Sequence, residues 1–302
     1  MREFDITIAE GGVLHAYDSG TGGAHALPVV WHHGTPNIGT PPRPLLDHAD
    51  RLGLRLVGYD RPGYGGSTPR PDRTVASAAA DAAAVVDALD APHTLDAPHF
   101  TSAPQPGRPF AVLGHSGGGP HALACAALLP DRVVAAVSIS GLAPYDPTRD
   151  ADWFAGFSDL GAASLRAAVA GRAEKEAYES VEHEGDMGFI AADGAAFDGE
   201  WGWIMEVVRP ALAAGPAPLI DDDLAYVREW SFEPSAIRTP VRLVHGGLDR
   251  VVPAAHSEQL ARSIPHAVMD LEPDDGHISI LRRAAAALDW IAARRDDRPH
   301  ET

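Results

Sequence analysis

Short apolar runs and helix-compatible stretches alternate along most of the chain. Residues 4–8 and 13–18 alternate apolar and polar side chains around Gly11-Gly12, which predicts an opening β-hairpin. Six further runs, at 29–33, 54–59, 110–114, 133–139, 241–245 and 267–271, are apolar without alternation. A strand buried on both faces reads this way, so each is expected in a parallel sheet. Between them, 75–89, 118–129, 254–264 and 278–293 suit helices. Strands alternating with helices predict an α/β fold, with a mostly parallel central sheet covered by helices on both faces.

Two stretches break this rhythm. From about 142 to 235 no buried strand is apparent, only acidic helix-like segments with scattered large apolar residues, among them Trp153, Phe157, Trp201, Trp203 and Trp230. A helical lid inserted before the last two strands is expected. The chain then divides into a first core part (1–141), the lid (142–235) and a second core part (236–302). Residues 93–109 are too rich in proline for regular structure and predict a loop insertion.

Composition narrows the function classes. A length of 302 residues with 45% hydrophobic side chains allows one large domain with a sizeable core. The formal net charge of −18 repels phosphate backbones and anionic lipid, so neither nucleic acid nor a membrane surface is an expected partner. No apolar window is long enough for a membrane span, and the first residues do not resemble a signal peptide. A cytoplasmic location is expected, and a homo-oligomer is left open. Cys125 is the only cysteine, which excludes an intrachain disulfide, and its apolar surroundings predict a buried, unreactive thiol. Lys175 is the only lysine and reads as coding bias rather than chemistry.

The candidate chemistry centres on VLGHSGGGPHALA, residues 112–124. It contains the pattern G-x-S-x-G at Gly114, Ser116 and Gly118, between an apolar strand run and a small-residue helix. A serine on so tight a strand-to-helix turn is lifted above the sheet edge, at a helix start that favours developing negative charge. A serine hydroxyl needs a base. Of the 15 histidines, His277 stands directly after the last predicted strand, at the same sheet edge. His115 and His121 read as packing or pocket residues, whereas His183, His256 and His266 read as surface positions. The base in turn needs a carboxylate to fix its tautomer. Asp249, in LVHGGLDRVVP, lies at the same edge one strand earlier. Asp274 and Asp275 read as turn formers. Two N–H donors must face the developing oxyanion. Thr35, in WHHGTP after the third strand, and Gly117 are assigned that role. No histidine and carboxylate spacing suggests a metal, and no cofactor is expected.

Together HGTP (33–36), YDRPGYGGS (59–67), GHSGGGP, HGGLDRVVP and DGHIS resemble the α/β-hydrolase superfamily, over about residues 4–295. The similarity is greatest to its lidded esterase, haloperoxidase-like and C–C-hydrolase branch. The chain order Ser…Asp…His agrees with that family. The resemblance implies that the loop of Asp60 and Arg61 is structural. Serine at the elbow departs from haloalkane dehalogenases and epoxide hydrolases, which carry aspartate there. The expected activity is hydrolysis of a small, fairly hydrophobic ester through an acyl-enzyme on Ser116. C–C or amide hydrolysis, perhydrolysis, and a receptor-like protein with little turnover remain alternatives. The pocket for this small-molecule substrate is expected to draw on His33, Gly34 and His115 beside the catalytic loops. From the lid it would take Trp153, Phe157 and Trp203.

Overall fold

The computed structural model describes residues 1–8, 11–23, 25–89, 107–213 and 215–295. Its strands are β1 (Arg2–Thr7), β2 (Val13–Asp18), β3 (Leu27–His32), β4 (Leu54–Tyr59), β5 (Phe110–His115), β6 (Val133–Ile139), β7 (Val241–Gly246) and β8 (Val268–Glu272). They form one sheet in the order β1-β2-β4-β3-β5-β6-β7-β8. The hairpin β1–β2 joins antiparallel to β4, and every later pairing is parallel. Six parallel strands therefore open their carboxyl ends at one edge. The strand order reverses between β3 and β5, where a crevice forms in open α/β sheets.

Outside the stretch between β6 and β7, the helices are α1 (Leu46–Arg51), α2 (Ser77–Ala88), α3 (Gly118–Leu128), α10 (Ala255–Ser263) and α11 (Ala284–Ala292). Between β6 and β7 run α4 (Asp150–Phe154), α5 (Asp159–Ala170), α6 (Arg172–Glu179), α7 (Ala191–Asp198), α8 (Ile204–Ala211) and α9 (Ala217–Val227). One core lies under α2 and α3 and takes in Val85, Leu123, Trp153 and Phe157. The other lies under α1 and α11 and takes in Trp31, Trp201, Trp203 and Leu288. The segment between β6 and β7 thus packs into both cores.

Two expectations change, and one helix was not expected. The 267–271 run forms a strand, but it lies at one edge of the sheet, and Val268 and Leu271 are nearly half exposed rather than buried on both faces. The single helix expected over 278–293 begins as a 3-10 turn at Ser279–Arg283 and becomes α-helical only at Ala284. The helix α1 had no counterpart in the apolar pattern. Most of the expected loop at 93–109, residues 93–106, lies outside the described residues.

Candidate active site

Ser116 joins β5 to α3 with φ +56°, a left-handed conformation that costs energy for a residue with a side chain. Its backbone N–H donates to the Ile139 carbonyl at 2.8 Å, tying the turn to β6. The glycines on either side are required by close approach. A Cβ on Gly114 would lie 2.2 Å from the Gly118 carbonyl oxygen, and one on Gly118 would lie 1.9 Å from that of His32. Only glycine lets the strand, the turn and the next strand's end come together.

His277 follows β8. Its Nδ1 donates to Asp249 Oδ2 at 2.8 Å, and both side chains are buried. With the proton on Nδ1, Nε2 is left as an acceptor. Asp249 Oδ1 accepts from the Val251 and Val252 N–H groups, both at 2.9 Å. Burial pushes the Asp249 carboxyl up. The neighbouring His277 and His245 outweigh it, so the group stays well below the usual carboxylate range. His115, next to Ser116, donates from Nε2 to the His277 carbonyl at 3.0 Å, and the two rings are 4.9 Å apart. Burial, then His277, pushes the His115 ring down to about 3, so it is neutral.

The loop after β3 comes up beside the serine. A Cβ on Gly34 would meet Ser116 Cβ at 3.5 Å. Among the described residues, neither the Thr35 nor the Gly117 backbone N–H finds a protein acceptor. The Thr35 hydroxyl donates to Asp222 Oδ2 at 2.7 Å, lies 2.7 Å from the Tyr226 hydroxyl, and accepts from Arg61 Nη2 at 2.9 Å. The Tyr226 hydroxyl also donates to the Gly117 carbonyl at 3.0 Å. Arg61 donates to the His33 and Gly34 carbonyls and pairs with Asp222 at 2.7 Å. Arg73 pairs with the same carboxylate at 2.8 Å, and Tyr64 donates to it at 2.9 Å. Burial alone would raise the Asp222 carboxyl, but the two guanidinium groups hold it far below its ordinary range.

A cavity of about 320 Å³ opens over Ser116, Gly117 and Thr35. Phe157, Leu160, Leu165, Leu142 and Val252 give it an apolar wall, and Ser164, Glu179 and Asp223 make one polar stretch.

A sequence model of the alpha/beta hydrolase family matches residues 19–290, most of the chain. The chain belongs to the α/β-hydrolase family. No curated protein sequence matches it. Among solved structures it is similar to a thermophilic esterase from Thermogutta terrifontis, at 20% identity and a TM-score of 0.62, over 97% of this chain and 99% of that one. An enol-lactonase from Burkholderia xenovorans LB400 is 18% identical with a TM-score of 0.66, over 96% and 98%. A bromoperoxidase from Bacillus anthracis is 18% identical with a TM-score of 0.64, over 97% and 98%. At these identities the likeness is one of fold.

In this α/β-hydrolase the cavity draws on fewer of the expected residues than the sequence suggested. Phe157 lines it, but Trp153 does not. The Trp153 indole donates to the Ala143 carbonyl at 3.0 Å and its ring packs on His256 and Phe157, so it backs the wall from behind. Trp203 is farther away, against Trp31 in the core on the other face. His33 and His115 are buried in hydrogen bonds to backbone and stand outside the cavity wall. Gly34 abuts Ser116, but the wall begins at Thr35. His256, expected at the surface, is buried: its Nδ1 accepts from the Ala143 N–H and its Nε2 donates to the Trp153 carbonyl.

Several contacts around the candidate site had no signal in the sequence. His245 Nε2 lies 3.4 Å from Asp249 Oδ2 and donates to the Val252 carbonyl at 2.8 Å. Asp222 and Tyr226 stand nearly 200 positions from the loop they hold. Lys175 is completely buried behind the polar wall of the cavity, bonded to Ser164 Oγ and Glu179 at 2.5 Å and to Asp223 at 2.7 Å. The only lysine therefore has a defined structural place.

Proposed function

We propose that the chain is a serine hydrolase that cleaves a small, largely hydrophobic carboxylic ester through an acyl-enzyme on Ser116. The observation that carries this reading is the buried 2.8 Å His277–Asp249 pair, set beside the strained Ser116 turn that lines a mainly apolar cavity.

In this mechanism His277 Nε2 takes the Ser116 proton as Oγ attacks the ester carbonyl. The Asp249 carboxylate keeps the Nδ1 proton in place and stabilises the imidazolium. The negative charge on the carbonyl oxygen is received by the Thr35 and Gly117 N–H groups, which have no competing acceptor among the described residues. Breakdown returns the proton to the departing alkoxide and leaves an ester on Ser116. A water, deprotonated by the same histidine, then releases the acid and restores the serine. The cavity volume and apolar wall suit a short acyl or alcohol group. Glu179 and Asp223 on the wall disfavour a substrate that carries a carboxylate there.

The test is hydrolysis of short p-nitrophenyl esters by wild type, Ser116→Ala and His277→Ala. Turnover well above buffer, reduced by at least about 10³-fold in both variants, is the expected result. Undiminished turnover in Ser116→Ala would refute the assignment. Absence of turnover in wild type, with tight ligand binding, would favour a receptor-like role.

A further inference from the structure

Asp193 lies on α7, in the segment between β6 and β7, and is completely buried. Its carboxylate nevertheless belongs to the loop that carries His277. Oδ1 accepts from the backbone N–H groups of Ile278 and Ser279, both at 2.8 Å, and from the Ser279 hydroxyl at 3.0 Å. Oδ2 accepts from the Ile190 N–H at 3.0 Å, at the start of α7. The Ser279 hydroxyl in turn accepts from the Gly276 N–H at 2.7 Å. The residues on both sides of His277 are thus fastened to one carboxylate, either directly or through one hydroxyl. The loop sits flush on it, because a Cβ on Gly276 would lie 2.3 Å from Asp193 Oδ2.

A buried carboxylate is costly unless its oxygens are bonded, and here both are. The bonds run to backbone donors, so they constrain the path of the chain through 276–279. His277 leaves that path to reach Asp249 on another loop, after β7. Two fixed points therefore define the imidazole: the Asp249 carboxylate at Nδ1, and the backbone position set by Asp193.

We propose that Asp193, acting with Ser279, is a positioning residue that holds His277 against Asp249 and beside the Ser116 turn. The inference rests on the reading of His277 as the general base. It gives the segment between β6 and β7 a second role besides walling the cavity, because the base is oriented from there. A catalytic group displaced by about 1 Å can lose about 10²-fold in rate, so the effect belongs in kcat, with KM little changed.

The test is a double-mutant cycle on ester hydrolysis, with Asp193→Asn and Ser279→Ala each made in wild type and in His277→Ala. Asparagine places an N–H₂ where one set of donors now meets an oxygen. Ser279→Ala removes a single hydroxyl and provides the milder probe should Asp193→Asn fail to fold. In the wild-type background the expected losses in kcat are about 10–100-fold for Asp193→Asn and about 3–10-fold for Ser279→Ala. KM should stay within about twofold, with a cooperative melt retained. In His277→Ala both effects should shrink to less than about twofold, because there is no base left to misplace. Equal losses in both backgrounds, or none in wild type, would overturn the proposal. Wild-type activity in His277→Ala itself would remove the base assignment, and the role of Asp193 with it.

Discussion

At Ser116 the left-handed backbone is borne by a residue with a side chain, while its glycine neighbours supply the room. Such a conformation persists only where its surroundings over-determine it. The bond from the Ser116 N–H to Ile139 is one of those constraints. Asp249 Oδ2 accepts the hydrogen bond from His277 Nδ1–H at 2.8 Å, and the orientation of the imidazole depends on that one atom. Asp249→Asn keeps the shape but replaces the carboxylate with a neutral amide, whose N–H₂ turned to Nδ1 favours the wrong imidazole tautomer. Steady-state kinetics of this variant should show kcat lower by roughly 10³–10⁴-fold with KM little changed. A loss below tenfold would mean that Asp249 does not orient the base.

At the scale of elements, α9 reaches across the cleft to the loop after β3. Asp222 and Tyr226 both reach it, and Asp222 is buried between Arg61 and Arg73 and bonded to the Thr35 hydroxyl. Asp222→Ala would leave two buried guanidinium groups without their carboxylate. Breaking a buried pair in this way costs about 3–5 kcal/mol. Denaturant melts of Asp222→Ala should show a loss of that size, and a loss under about 1 kcal/mol would contradict the clamp. The same helix shows what a sequence leaves hidden. The elements that carry the candidate site were legible because their signals are local: apolar runs of strand length, glycines at a sharp turn, a histidine just past the last strand. The Asp222–Arg61 and Asp193–Ser279 contacts join residues 161 and 86 positions apart, and DDD at 221–223 resembles any solvated acidic run. The aromatics between β6 and β7 misled for a related reason. A tryptophan that walls a cavity and one that fills a core have the same side chain, and only packing separates Phe157 from Trp153 and Trp203.

Over the whole molecule, the buried histidines couple stability to pH. His115, His121 and His256 are each pushed down to about 3, by burial first and then by neighbouring His277, Arg61 and His245 respectively. In the unfolded chain each titrates near 6.5. Unfolding therefore takes up protons below that value, and the stability present above about pH 6.5 is lost as pH falls toward the folded value. Between pH 7.5 and 5.0 each histidine should remove about 2 kcal/mol. Urea midpoints measured at the two values should fall accordingly, and a flat midpoint would show that these rings protonate in the folded protein.

If the proposed reading holds, four loops, after β3, β5, β7 and β8, assemble into one site that activates Ser116. The most direct measurement is labelling of the intact protein with a fluorophosphonate, with the adduct located by peptide mass spectrometry. One phosphonylated residue is expected, Ser116, with labelling abolished in Ser116→Ala and slowed at least about 10³-fold in His277→Ala. Labelling at another residue, or equal labelling of Ser116→Ala and wild type, would contradict it.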